Sequence, residues 1–507
     1  MPFMGWRNNL PPKGETIRII PAYRISPVYS MEIPHAETEM TPDFNSYLSP
    51  FGWRYGSTEM RSLWSEQNKR RVWRQIWLAL ARVQADYGLV TPSQLADLEA
   101  HAAHVDIPRA LEIEAEIHHD LMAELKTYAE QAPAGGGVLH LGATSMDIED
   151  NADALRLREA LALVIVRLQT LLAMLADQID LYADLPVMAF THLQPAEPTT
   201  LGYRLAVYAQ DLLENWKQLT AMRGEVRGKG FKGAVGTGAA YGDLIGLENL
   251  ASFEEQMSRE LDLPFLPITT QTYTRWQEYH LLCALAGMGG SLYKLAFDLR
   301  ILQSPPIGEL GEPFGRRQVG SSAMPFKRNP IQAEKMDSLA RMLSVMPQVA
   351  WGNAAHSLLE RTLDDSANRR SLLPEAFLSA DELLVTAIKL VNGWTIRKDA
   401  IQRNLEIYAP FAATERVMMA AARRGADRQE MHELLREHAL GAWAAVQAGM
   451  PNDLIARLQA DENITRLVPA EEIAALARVD GYVGNAPRRA RELAETIRAS
   501  LPVADPS

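Results

Sequence analysis

Residues 320–330 read GSSAMPFKRNP and gather side chains that could move protons and hold an anion. Ser321 and Ser322 supply hydroxyls, Lys327 a cation and Asn329 an amide, and Pro330 stands where a helix would open. A helix start offers unpaired backbone N–H groups and the positive end of the helix dipole, which favour a carboxylate that gains charge during a reaction. Glycines at 308, 311, 315 and 320 and prolines at 313, 325 and 330 exclude regular helix across 308–330 and predict a mobile loop. An ordinary solvated turn selects the same residue types, so composition leaves the role of the loop open.

Other polar groups carry similar double readings. His192 lies in a Thr-His-Leu-Gln-Pro turn; histidine suits proton donation near neutrality, although most histidines are structural. His118, His119 and Asp120 form an HHD run read as helical, and because adjacent helical positions face different ways it makes a poor metal site. Glu334, seven residues beyond Lys327, falls in the first turns of the next helix, where it could orient a histidine from another segment or merely satisfy the dipole. The stretch GFKGAVGTGAAYGD at 230–243 fits neither dinucleotide nor P-loop spacing and reads as a structural turn. The single cysteine, Cys283, excludes an intrachain disulfide and reads as core packing.

The elements that must position these groups read as helical. Residues 59–87 run on in good helix formers with Trp64, Trp73, Ile76, Trp77, Leu80 and Val83 mostly three or four apart, predicting a helix with an aromatic core face. After a Gly-rich break at 132–137, Leu161, Val164, Leu168, Leu171, Leu175 and Ile179 mark one buried stripe. Comparable patterns at about 200–226, 274–302, 331–355 and 372–391 make five long helices and imply an elongated bundle. The two short runs at 187–192 and 265–273 are the strand signals.

The class is all-α, with three helical domains. Seven prolines at 2–42 predict an extended arm over 1–43; an N-terminal helical domain follows at 44–143, a central bundle with the 308–330 loop at 144–394, and a C-terminal domain of shorter helices at 395–507. Apolar faces such as that of Trp276, Leu281, Leu282, Leu285 and Met288 exceed what one bundle covers and predict oligomerisation through it.

Composition narrows the function classes. At 507 residues, 47% hydrophobic and 22% charged, the chain can bury a large core. Its 63 acidic against 51 basic residues, a net charge of -12, repel phosphate backbones and anionic membranes, so neither nucleic acid nor membrane is an expected partner. The start lacks the apolar core of a signal peptide and no unbroken apolar run approaches the roughly 20 residues of a membrane span; a reducing cytoplasm is the expected location.

The string SSAMPFKRNPIQAE resembles the signature of the fumarase/aspartase superfamily, and AMPFKRNP is closest to its adenylosuccinate lyase branch. HLGATSMDIEDNAD (140–153), THLQPAEPTTLGYRLA (191–206), QTYTR (271–275) and LERTLDDSANRR (359–370) are similar to the same branch. The resemblance implies a C–N lyase releasing fumarate, built on a tetrameric 20-helix core with active sites shared between subunits. It implies Ser321 as base, where the residues alone leave Ser321 and Ser322 equal, and His192 as acid. It assigns Arg54, Tyr55, Ser366 and Arg370 to the phosphate end of a small nucleotide substrate, and Thr144, Ser145, Gln271 and Arg361 to the succinyl or base portion. His119, with His118 and Asp120, is implied to contact substrate near the acid, Lys327 and Asn329 to stabilise the carboxylate, and Glu334 to orient a histidine.

Physical chemistry supports the division of labour. Taking a proton from carbon beside a carboxylate requires electrostatic stabilisation of the resulting dianion, a task for Lys327, Asn329 and loop amides. A strongly anionic substrate on an acidic protein needs local cations such as Arg54, Arg361 and Arg370. No cofactor and no metal are expected, since these donors suffice. His118 and Lys335 stand where relatives carry arginine, and lysine does not reproduce a planar bidentate contact. The competing expectations are another lyase of the superfamily, acting on argininosuccinate or carboxymuconate, and a non-catalytic structural relative.

Overall fold

The computed structural model describes residues 44–479 and 481–502, so the arm expected at 1–43 lies outside the described residues. Contacts gather Pro42–Leu501 into one compact unit, to which every element named below belongs. The described residues are predominantly helical, as the all-α expectation required.

The expected helix at 59–87 is two helices, α1 (Thr58–Leu63) and α2 (Glu66–Asp86). Ser65 makes the break: its hydroxyl accepts the Asn68 N–H at 3.1 Å and starts a fresh helix. The aromatic face is as expected, with Trp73, Ile76, Trp77, Leu80 and Val83 buried. Next come α3 (Pro92–His101), α4 (Ile107–Ile117) and α5 (Asp120–Gln131). Glu124 of α5 sits fully buried and takes Arg74 Nε at 2.6 Å and Arg70 Nη1 at 3.1 Å, fastening α5 to α2.

Five long helices follow: α6 (Ser145–Leu181), α7 (Leu201–Glu225), and, after the short α8 (Ala239–Ile245) and α9 (Leu250–Glu260), α10 (Trp276–Gln303), α11 (Ile331–Ala355) and α12 (Ser366–Gly393). α6 packs on α7 and α12, and α10 lies along α11 and against α7 and α12. The stripe Leu161, Val164, Leu168, Leu171, Leu175 and Ile179 is fully buried, each side chain contributing about 1.5–3 kcal/mol relative to exposure. By length and composition α6 is apolar enough to cross a membrane, although Arg167 and other polar residues interrupt it and it holds no unbroken apolar run of that length; its apolar face is accounted for by the bundle. Cys283 on α10 is half-buried beside the Tyr279 hydroxyl, not in the core.

Between α6 and α7 the chain forms a hairpin, β1 (Pro186–Thr191) paired antiparallel with β2 (Gln194–Thr200). The run at 187–192 therefore does pair, but with its own continuation; 265–273 contributes a single bridge, Gly228 to Phe265. β3 (Leu310–Gly311) pairs with β4 (Thr395–Ile396) and anchors the start of the 308–330 loop to the end of α12.

Beyond residue 394 the expectation of shorter helices fails first at α13 (Lys398–Arg423), which runs 26 residues despite Pro410. α14 (Arg428–Gln447), α15 (Leu454–Ala460), α16 (Glu462–Thr465) and α17 (Ala470–Leu476) are shorter and share an apolar cluster that includes Val417, Met431, Leu435, Leu454, Leu458, Ile464 and Ile473. The final helix, α18 (Ala486–Ser500), returns to pack on α6 and α7.

Candidate active site

Three segments distant in sequence meet at the start of α6. Gln271 Nε2 reaches Thr144 Oγ1 at 3.5 Å, the Gln271 N–H donates to Glu360 O at 3.2 Å, and Ser145 Oγ lies 3.4 Å from His119 Nε2. Arg370 Nη2 donates to Asp120 Oδ2 at 2.7 Å. Asp120, Ser366 and Arg370 line one cavity with Lys69, Glu149 and Asp153. Of the expected groups, His119, Asp120, Thr144, Ser145, Gln271, Arg361, Ser366 and Arg370 are thus brought to one face. The cavity is about 100 Å³, too small for a whole nucleotide by the roughly 300–1,000 Å³ usual for ligand pockets. A wider hollow lined by Tyr279, Ser344, Pro347, Gln348 and Trp351 contains none of these residues.

The HHD run is not one helix: His118 and His119 form the break between α4 and α5, and Asp120 begins α5. His118 ends α4 in the left-handed region at φ 55°, and His119 caps α5, its Nδ1 accepting the Met122 N–H at 3.4 Å. A helix break turns His119 toward Ser145, which one continuous helix would not do. Asp120 is held below the ordinary carboxylate range: burial opposes this, but the Arg370 charge and hydrogen bonds outweigh it.

Beneath this face lies a buried charge cluster. Arg275 donates through Nε to Asp365 at 2.7 Å and through Nη1 to Asp150 at 2.8 Å, and Arg369 pairs with Glu278 at 3.0 Å and Asp153 at 2.9 Å. Arg361 Nη1 donates to Asp365 at 3.0 Å. The start of α6 is fastened by Asp147, fully buried, which accepts the Thr144 N–H at 3.0 Å, the Tyr241 hydroxyl at 3.2 Å, the Gly233 N–H at 3.2 Å and the Lys229 ammonium. The glycine-rich stretch at 230–243 is therefore a turn that leads into α8, and both parts reach Asp147.

His140 escaped the sequence reading. Trp77 Nε1 donates to its Nδ1 at 3.0 Å, so the proton of the neutral ring resides on Nε2. Burial lowers its pKa, and neighbouring His119 adds to the effect while Asp147 opposes it. Its φ of 66° is unusual for a non-glycine residue. The signal available in the sequence was its place at the head of HLGATS, beside Thr144 and Ser145.

Arg54 and Tyr55 lie on a loop fastened to α12: the Gly56 N–H donates to Glu382 Oε2 at 2.9 Å and the Ser57 N–H to Asp381 Oδ2 at 2.6 Å. Lys335 spends its ammonium on the other oxygen of Glu382, at 2.6 Å. Arg54 itself is exposed, its guanidinium 5.7 Å from the Trp53 ring and 6.0 Å from the Tyr55 ring.

His192 occupies the tip of the β1–β2 hairpin. It and Leu193 are the two loop residues, with φ of 55° and 60°, the pattern of a type I′ turn that ordinarily recruits Asn and Gly. Two such residues cost on the order of 1–3 kcal/mol each, and both side chains are exposed.

In the signature loop, Ser321 Oγ accepts the Met324 N–H at 3.1 Å, and Asn329 Nδ2 donates to Gly320 O at 3.1 Å. Gly320 is required by close approach, because a Cβ there would meet Lys327 O at 2.1 Å. Lys327 is exposed. The expected free helix start is already taken: Glu312 accepts the Gln332 N–H at 3.1 Å and the Ala333 N–H at 2.6 Å, so α11 is capped by the chain's own carboxylate. Glu334 is exposed, with Arg300 at 4.0 Å. Among the described residues no hydrogen bond or ion pair joins His192, Ser321 or Glu334 to one another or to the Thr144 face.

A family model described as "Lyase" matches residues 58–344, and one described as "Adenylosuccinate lyase C-terminus" matches 410–493. Adenylosuccinate lyase of Saccharomyces cerevisiae is 37% identical over 462 residues, covering 90% of this chain and 95% of that one. Among solved structures, 3-carboxy-cis,cis-muconate lactonizing enzyme from Pseudomonas putida superposes with a TM-score of 0.77 at 26% identity, over 88% of this chain and 98% of that one. Fumarate lyase from Mesorhizobium sp. BNC1 does so with a TM-score of 0.77 at 26% identity, over 89% and 99%. The muconate enzyme shares the architecture at lower identity, whereas the yeast relative and the C-terminal match agree on one branch. The chain belongs to the adenylosuccinate lyase family.

Proposed function

We propose that Ser321 and His192 carry a β-elimination in which fumarate leaves adenylosuccinate, giving AMP, and leaves the succinylated aminoimidazole carboxamide ribotide of purine synthesis. Membership of the family makes the chain a carbon–nitrogen lyase; the residue roles are our reading. Ser321 takes the proton from carbon beside a carboxylate, the C–N bond breaks, and His192 protonates the departing nitrogen. The Met324 N–H directed at Ser321 Oγ stabilises that oxygen as it loses its proton. Lys327 and Asn329 offset the charge that builds on the carboxylate.

The single observation that carries the reading is the convergence of His119, Thr144, Ser145, Gln271 and Arg361 on one face in a chain 37% identical to the yeast enzyme. Arg54, Tyr55, Ser366 and Arg370 are assigned to the phosphate, which competes with Asp120 for Arg370. Thr144, Ser145, Gln271 and Arg361 are assigned to the rest of the substrate, with His118, His119, Asp120 and Lys335 at its margin. His140, its Nε2 protonated, joins them as a donor.

We also assign the working form to a homotetramer in the cytoplasm, with sites shared between subunits and Glu334 orienting a partner's histidine. Exposed Trp276, Val345, Val349 and Trp351 on α10 and α11 support a covered bundle face. The separate apolar cluster of α13–α17 supports a three-part division of the chain. Incubating the purified protein with adenylosuccinate and following the ultraviolet change tests the reaction: turnover is expected, and none there with turnover of another fumarate-yielding substrate would overturn it.

A further inference from the structure

We propose that Arg275 is a positioning residue that sets Arg361 and Gln271 in place by pinning Asp365 and Asp150, the two carboxylates beneath the Thr144 face. It is 3% exposed and stands at the N-terminal boundary of α10, at the end of the segment that carries Gln271. Each of the two carboxylates it hydrogen-bonds divides its oxygens in the same way, and Glu278 stands farther off at 3.8 Å. Asp365 gives Oδ2 to Arg275 Nε at 2.7 Å and Oδ1 to Arg361 Nη1 at 3.0 Å. Asp150 gives Oδ1 to Arg275 Nη1 at 2.8 Å and Oδ2 to the Tyr273 N–H at 2.8 Å.

One planar guanidinium thus heads two relays. The first passes through Asp365 to the Arg361 side chain. The second passes through Asp150 to the backbone of Tyr273, two residues from Gln271, whose own N–H donates to Glu360 O beside Arg361. The two loops close on each other, and both lie against α6 where Thr144 sits. The Tyr273 ring, 4.8 Å from the guanidinium carbon, fixes the plane of the fork. Lysine would keep the charge yet could not direct two donors along fixed lines. Burial raises the Asp150 pKa, and the charges of Arg275 and then Arg369 act against it.

The inference rests on Arg361 contacting substrate, and a double-mutant cycle on the full-length protein separates the two claims. Arg361→Ala is expected to raise KM for adenylosuccinate. Arg275→Lys is expected to raise KM about tenfold with kcat within about twofold. In the double variant, KM should exceed that of Arg361→Ala by clearly less than the factor Arg275→Lys shows alone, because the relay through Asp365 no longer has an end to position and only the one toward Gln271 remains. Effects that multiply in the double variant, or an Arg275→Lys enzyme with unchanged KM, would overturn the positioning role while leaving Arg361 in the site. An unchanged KM in Arg361→Ala removes Arg361 from the site and this inference with it. Should Arg275→Lys not fold, Asp365→Asn breaks the first relay one link nearer the site, leaves the Arg275–Asp150 bond, and runs the same cycle.

Discussion

The cluster of Asp150, Arg275, Glu278, Asp365 and Arg369 and the loop at 312–330 are both assigned to the proposed site, and they are built in opposite ways. In the cluster every carboxylate is buried and bonded by an arginine, and the arginines join α6, α10 and α12. In the loop, Val319, Phe326 and Lys327 are exposed, and its tertiary fastenings are few: Gln303 Nε2 to Arg328 O at 3.0 Å and Glu312 to the start of α11. The cluster holds one geometry because opening it would leave unpaired charges out of water, a penalty of several kcal/mol per ion. The loop lacks such a penalty and can move over a substrate. Gln271 and Arg361, proposed to bind substrate, are thus mounted on the rigid region and the proposed base on the movable one.

Variants should separate the two regions, beginning with the largest effect. Ser321→Ala and His192→Ala are each expected to lower kcat by about 10²–10⁴-fold, with thermal unfolding unchanged, as read by steady-state kinetics beside a melting scan; near-normal turnover would remove that residue from its role. Arg369→Met should do the reverse of a pure rate effect, costing about 3–5 kcal/mol of stability because Glu278 is left buried with the Tyr273 hydroxyl but without its hydrogen-bonded guanidinium. Urea unfolding measures it, and a loss under 1 kcal/mol would contradict the rigidity ascribed to the cluster. Gly320→Ala forces the backbone away from Lys327 O and is expected to lower kcat by up to about 10²-fold through misplacement, again without a change in melting.

The smallest effect concerns Glu149, half-buried in the cavity with Asp120 and Asp153. Burial, then the Asp120 charge, pushes its pKa up to about 8 from an ordinary value of 4.5. Between those values the folded protein binds more protons than the unfolded chain, so stability falls as pH rises from 4.5 to about 8. Glu149→Gln should therefore melt higher than the parent at pH 8 and alike near pH 4.5. A difference that does not grow with pH across that window would refute the assignment.

The periodic stripe from Leu161 to Ile179 and the helix at 331–355 were legible because burial imposes a 3.6-residue period directly on the chain. The break at Ser65 was not, since a serine inside a run of helix formers becomes a cap only when the packing asks for two directions. His192 was legible as a turn residue, but not as one of two left-handed residues at a hairpin tip, because neither histidine nor leucine announces that conformation. The helix start after Pro330 was read as an open anion site; Glu312, about twenty residues upstream, closes it, and only the fold brings that carboxylate there.

By itself the sequence determined the all-helical class, the long-helix bundle and, through strings such as GSSAMPFKRNP, the chemistry and the family. Local steric rules, solvent-driven periodicity and chemically specific residue types are all carried along a few consecutive positions. Tertiary structure decided which side chains stand free and which are already spent: Lys335 on Glu382, Arg370 on Asp120, Asp147 on the glycine-rich turn. Those pairings join residues tens to hundreds of positions apart, and a charge has no partner until the chain has folded enough to exclude the water between them.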